Sequence, residues 1–265
     1  MTPTRGSWLP KARSRTLLAM VAALSLARRL APLPERAMRL QALAHVLRGE
    51  ASQAVLALEE LGRGALAKDT ASRTVYASLV DPRAVRELVG AAQLGLLVQA
   101  ALALETPLAL LWLRACADEP LASEKVEASR LVHRDLSSLS LGERRALARR
   151  ARGDLQKKLV CDPDPQVVTH LLANPSTTEA TALAISSRRP TISAPLEAVL
   201  ASKRFGVRYR VRLALCKNPY LRRDLAVALL FCLERGDLEE IGRDQSLSVA
   251  QRAAAAVLLQ AARSS

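Results

Sequence analysis

Aromatic residues are scarce in this chain, with two Trp, three Tyr and two Phe among 265 residues. The apolar half of the composition is Ala, Leu and Val instead, and because Ala and Leu lead the helix propensity scale, few strands are expected. The four cysteines, Cys116, Cys161, Cys216 and Cys232, are widely spaced and form no CxxC pair. That spacing argues against a disulfide-dense secreted domain and against a zinc ribbon, and points to buried free thiols. His45, His133 and His170 are the only histidines, none of them in an HExxH or Cys/His spacing, so no metal site is expected. Gly-rich phosphate loops are missing too; the nearest approach, Gly62-Arg63-Gly64, reads as a helix end. No cofactor, no small-molecule substrate and no transmembrane span are indicated, and Pro and Gly are too few for a linker.

What the chain does contain is a phrase that occurs twice. Val167-Val168-Thr169-His170-Leu171-Leu172-Ala173-Asn174-Pro175 returns 44 residues later as Val211-Arg212-Leu213-Ala214-Leu215-Cys216-Lys217-Asn218-Pro219. A period of that length matches one helix-turn-helix unit of a stacked α-solenoid. Asp81-Pro82-Arg83-Ala84-Val85 repeats the Asp164-Pro165 opening more weakly. The second copy carries an extra stretch, Glu234 to Ile241, so its unit is longer by one short helix.

Punctuation between apolar runs follows helix-start chemistry. Asp81-Pro82, Thr106-Pro107 and Asp164-Pro165 each place an N-cap oxygen before a proline at the first helical position. Ser140…Glu143, Ser176…Glu179 and Ser248…Gln251 are capping boxes. Helices are therefore expected to begin near 16, 35, 51, 82, 92, 107, 123, 141, 165, 177, 194, 207, 220 and 248. Residues 1–15 read as a disordered basic start, and 16–265 as one array with a weak seam near 118–122. The stretch Ser140 to Leu259, with Leu141-Gly142-Glu143-Arg144-Arg145, Cys161-Asp162-Pro163-Asp164-Pro165, Asn174-Pro175, Arg188-Arg189-Pro190 and Asn218-Pro219, resembles the HEAT-like (armadillo-type) repeat proteins of GC-rich bacteria. The resemblance implies an all-α, right-handed α-α solenoid of about six or seven helix pairs. It carries no catalytic residues, because such arrays share packing positions and differ in what they bind. Val167, Leu171, Leu183, Val211, Leu215 and Leu229 are the expected core.

Charge is the remaining signal. Basic residues number 39 and acidic ones 25, a net +14, and only seven of the 39 are Lys. Arginine suits carboxylate and phosphate forks, although Arg, Ala and Leu together are also what a GC-rich genome yields. Between Ser202 and Arg223 there are eight basic residues and no acidic one, with Phe205, Tyr209 and Tyr220 among them. On a helix starting near Gly206, Arg204, Arg208 and Arg212 share one edge and Lys203, Arg210 and Lys217 the other, with Val207, Val211, Ala214 and Leu215 as the packing stripe between. Two such rails could grip phosphates while Tyr209 and Phe205 stack on bases; alternatively, Arg stems cover neighbouring helices and the rings fill the core. In a second stretch, Arg145, Arg149 and Arg152 share a helix face.

These features indicate a non-enzymatic scaffold whose basic surface docks an acidic protein partner, with sequence-independent nucleic-acid binding as the alternative. A HEAT-like DNA glycosylase is disfavoured, since Trp8 lies in the tail and Trp112 in mid-helix. Arg5, Lys11, Arg13 and Arg15 precede an apolar run from Leu17 to Leu24 and a small-residue Ser25-Leu26-Ala27 site. As a signal sequence, 1–27 would be removed and the chain exported. As a first helix burying Leu17, Val21 and Leu24, it stays, and the unpaired thiols then favour the cytoplasm.

Overall fold

A computed structural model describes residues 26–117 and 128–263. The expected disordered start, the first helix up to residue 25, the seam residues 118–122 and the helix expected from 123 lie outside the described residues. Among those described the chain is all helical and contains no strand, as Ala and Leu dictate. No single helix there is long and apolar enough to cross a membrane. The chain divides into two compact units, residues 1–118 with 257–265 and residues 119–256.

The first unit contains α1, helical over 26–30, and then α2 (Arg36–Leu47), α3 (Ala51–Leu66), α4 (Thr70–Ser78), α5 (Pro82–Val89), α6 (Ala91–Ala103) and α7 (Pro107–Ala117). Helix α3 is central and packs on α2, α4, α6 and α7. Its Val55, Leu58 and Leu61 are buried, as is Trp112 of α7. Gly62 and Gly64 do not end a helix: α3 runs through both. The reason is close approach. A Cβ at Gly62 would lie 3.2 Å from Leu108, and one at Gly64 2.5 Å from Ser72 Oγ, so glycine lets α7 and α4 come against α3 at the cost of helix propensity.

The α7 N-terminus departs from the local reading as well. The Thr106 hydroxyl donates to Ala101 O at 3.2 Å instead of capping, and the first free amides of α7 are satisfied from α3. Leu108 N–H and Ala109 N–H donate to Glu59 Oε2 at 2.8 and 3.0 Å, and Arg63 pairs with the other carboxylate oxygen at 2.9 Å. A buried carboxylate at a helix N-terminus meets both the orphan donors and the positive end of the macrodipole.

The second unit holds α8 (Leu141–Arg150), α9 (Asp154–Leu159), α10 (Pro165–Ala173), α11 (Glu179–Ser186), α12 (Ser193–Ala201), α13 (Tyr209–Cys216), α14 (Arg223–Leu230) and α15 (Arg235–Arg243), with α16 (Val249–Ala261) spanning its C-terminal limit. Helix α10 packs on both α8 and α12, and α11 packs on α12 and α13. Val167, Leu171, Val211, Leu215 and Leu229 are fully buried. Leu183 is only half-buried, because the inward stripe of α11 runs through Ala182, Ile185 and Ser186. The Asp81 and Asp164 caps and the Ser140 and Ser248 boxes all form. The Ser176 box does not, since α11 starts behind an uncapped Thr178. Helices α4 and α9 begin where none was expected.

Candidate docking surface

The first basic stretch is largely not helical. Residues 202–208 form a tight turn and α13 starts only at Tyr209. Gly206 forces this: its amide donates to Ser202 O at 2.8 Å, and a Cβ there would overlap the Leu200 carbonyl. The chain thus doubles back over the C-terminus of α12. Consequently Arg204, Arg208 and Arg212 do not share a helix edge, and Lys203 is not in register with Arg210 and Lys217. Val207 belongs to no packing stripe and is 60% exposed, while Ala214 is half-buried.

Each side chain has its own surroundings. Phe205 is buried, and the Arg204 guanidinium lies 4.7 Å over its ring. Arg204 Nη1 also donates to Asn174 O at 3.3 Å. Arg212 Nε closes the turn through Gly206 O at 2.9 Å, and Lys217 pairs with Glu240 at 2.6 Å. The Tyr209 hydroxyl donates to Asp237 and accepts the Glu234 N–H at 2.9 Å; burial and the Asp237 contact raise its pKa above the ordinary value. Lys203, Arg208 and Arg210 are exposed and have no ion pair among the described residues.

In the second stretch, α8 ends at Arg150, so Arg152 lies in the following turn and not on a face with Arg145 and Arg149. Arg145 forms a two-bond fork with Asp164 at 3.1 Å for each bond. Desolvation opposes ionisation of Asp164, but this fork and the Val167 amide outweigh it and hold the carboxyl below its ordinary pKa. Arg144 reaches the buried Asp162 at 2.8 Å. Arg149 Nη2 stands 3.1 Å from His170 Nε2; partial burial and the Arg149 and Arg145 charges lower the pKa of that imidazole.

What brings the two stretches together is Asn174, a residue whose role the sequence did not disclose. Its amide donates to Ala148 O and Ala151 O at the end of α8, at 3.2 and 2.8 Å. Its Oδ1 accepts from Ser176 N–H at 3.0 Å, and its carbonyl takes Arg204. The chain carrying Arg149, Arg150 and Arg152 at the end of α8 and the chain carrying Lys203 and Arg204 after α12 are therefore tied to one point at the end of α10, near helix C-termini, where the macrodipoles favour cations. Asn218 repeats the device: its amide donates to Ser186 O and Arg188 O at 2.8 and 3.0 Å, and its Oδ1 accepts from Tyr220 N–H at 3.0 Å. These are the only two asparagines in the chain, a signal that could have marked them.

Beside this cationic end runs a groove of about 390 Å³ between α10 and α12, lined by Thr169, Leu172 and Ala173 on one side and Ala198, Ala201 and Ser202 on the other, with Lys203 and Arg204 at its mouth. No group of three His, Cys, Asp or Glu among the described residues could hold a metal. Cys116 and Cys216 are buried free thiols, Cys161 and Cys232 half-buried ones, and burial pushes the Cys216 pKa well up. Comparison of the chain with protein-family models, with curated proteins and with solved structures finds no match.

Proposed function

We propose that the chain is a non-enzymatic docking protein whose second unit is a right-handed stack of HEAT-like helix pairs presenting a cationic end to an acidic protein partner. The stack is supported by the packing of alternate helices, α8 on α10 on α12 and α11 on α13. It is supported also by the way each Asn-Pro side chain holds the C-terminus of the helix two before its own. Helices α8 and α10 meet at both ends, through Arg145 with Asp164 and through Ala151 with Asn174, so they run parallel, as equivalent helices of successive repeats do.

The observation that carries the functional reading is that Asn174 ties the α8 end, which bears Arg149, Arg150 and Arg152, to the turn after α12, which bears Lys203 and Arg204. Nucleic-acid binding would draw on the same cations, but it is left with one of the two rings it would stack on: Phe205 is buried under Arg204, while Tyr209 stays exposed with its hydroxyl held by Asp237 and Glu234. The free thiols support a reducing compartment, in keeping with a cytoplasmic docking protein. Immobilised full chain, challenged with lysate of its source organism at moderate salt, is expected to retain a discrete acidic protein that a salt step releases. Recovery of chaperones alone, together with retention of duplex or single-stranded oligonucleotide in a mobility-shift assay that weakens steeply with salt, would overturn the reading in favour of nucleic acid.

A further inference from the structure

We propose that the groove between α10 and α12 receives a short acidic segment of the partner protein, one apolar side chain entering the groove and its neighbouring carboxylates meeting the cations at the Asn174 end. This rests on the docking reading above and narrows it to one site and one kind of segment. The floor is Leu172, 3% exposed, and the walls are short side chains: Ala173 on α10, Ala198 and Ala201 on α12. Their smallness leaves a volume of about 390 Å³ between two helices that otherwise pack directly, within the size range of small-ligand pockets. A phosphodiester backbone alone would leave the apolar part of this groove in contact with water; a leucine-sized side chain would cover Leu172 and the flanking alanines and leave room for the segment that carries it.

Charge selects the flanking chemistry. Arg204 is fixed by the Phe205 ring and by Asn174 O, so less freedom is lost when a carboxylate binds it. Lys203 and Arg152 are exposed at the same end. The two carboxylates nearest along the chain are already engaged, Asp154 with Lys158 and Glu197 with Arg222 and Ser193, so neither neutralises these cations. An acidic segment with an apolar anchor satisfies both halves of the site.

Fluorescence anisotropy on the full chain at low salt tests this with two labelled probes, a glutamate-rich peptide carrying one central leucine and the same peptide with alanine there. The leucine peptide should bind roughly tenfold more tightly, the effect of burying one such side chain. Ala201→Trp and Ala173→Trp, at exposed positions on opposite walls, should each erase that advantage and leave the alanine peptide unchanged. Lys203→Glu combined with Arg152→Glu should weaken both peptides about tenfold. Circular dichroism verifies that every variant remains helical. Equal affinity of the two peptides for the wild-type chain overturns the groove while leaving acidic docking intact. Binding of neither overturns both. A single-stranded oligonucleotide that binds and displaces the peptides irrespective of the Trp variants also overturns both.

Discussion

Asn218 is fully buried and Asn174 nearly so, and each uses both ends of its side-chain amide. Asn218→Ala removes the side-chain donor from the Ser186 and Arg188 carbonyls and the acceptor from the Tyr220 amide, which should cost about 2–4 kcal/mol in urea unfolding; Asn174→Ala should cost less, because Ala151 O keeps Gln156 and Ser176 as donors. Asn218→Asp should be worse at neutral pH than in acid, because a carboxylate would face the Ser186 and Arg188 carbonyls. Glu59 offers a parallel case. Glu59→Gln keeps an acceptor for Leu108 and Ala109 N–H and loses only the Arg63 pairing, so it should be milder than Glu59→Ala, which strands two buried donors. None of these roles was legible in sequence. The Asn-Pro phrase was visible as a repeat, but the carbonyls it serves lie 23 to 32 residues earlier, beyond any local pattern. Much of the arginine content finds its explanation here too: Arg36, Arg73, Arg86, Arg144, Arg189 and Arg204 all donate to backbone carbonyls, most of them at helix ends, where a planar fork and a positive charge both suit.

Whole helices were legible where their start is written in adjacent residues, as at Asp81-Pro82, Asp164-Pro165, Ser140 and Ser248. Two were missed, α4 and α9, although Asp69 caps the first of them through the Ser72 amide. Lys68 at φ 67 precedes α4, and Gly153 at φ 52 precedes α9; a lysine gives no notice of such a turn. The basic rails failed at a glycine: the spacing of Arg204, Arg208 and Arg212 suits a helix, but Gly206 closes a turn on Ser202 O and lies against the Leu200 carbonyl six residues back, which interrupts it. Gly206→Ala should therefore prevent the turn and lower Tm sharply, since the clash is with backbone that cannot swing away. Gly95→Ala and Gly142→Ala, on helices with open space around the new methyl, should instead stabilise by about 0.5–1 kcal/mol each. Leu171→Ala and Leu215→Ala should cost about 2–5 kcal/mol in the same measurement, and Leu183→Ala less, its side chain being only half-buried.

For the molecule as a whole, acid is the weak side. Asp69, Glu143 and Asp164 have depressed carboxyl pKa values in the folded state, the first two through serine hydrogen bonds and the third through the Arg145 fork. The folded chain then binds fewer protons than the unfolded one, so the stability these groups contribute is present above the ordinary carboxyl pKa and is lost as pH falls through the folded values. His170, with its pKa lowered, acts in the same direction from about pH 6.5 downward. Tm should fall slightly around pH 6 and steeply below about pH 4, and Asp164→Asn should flatten part of the acid limb. A different clock is set by the two asparagines. Asparagine ages when the next residue's amide nitrogen attacks its side chain to close a succinimide, but Pro175 and Pro219 have no N–H to give, and the sequence holds no other asparagine. Deamidation by that route is closed over the entire chain, so protein stored for months at neutral pH should focus as a single band, without the ladder of acidic forms that old preparations accumulate.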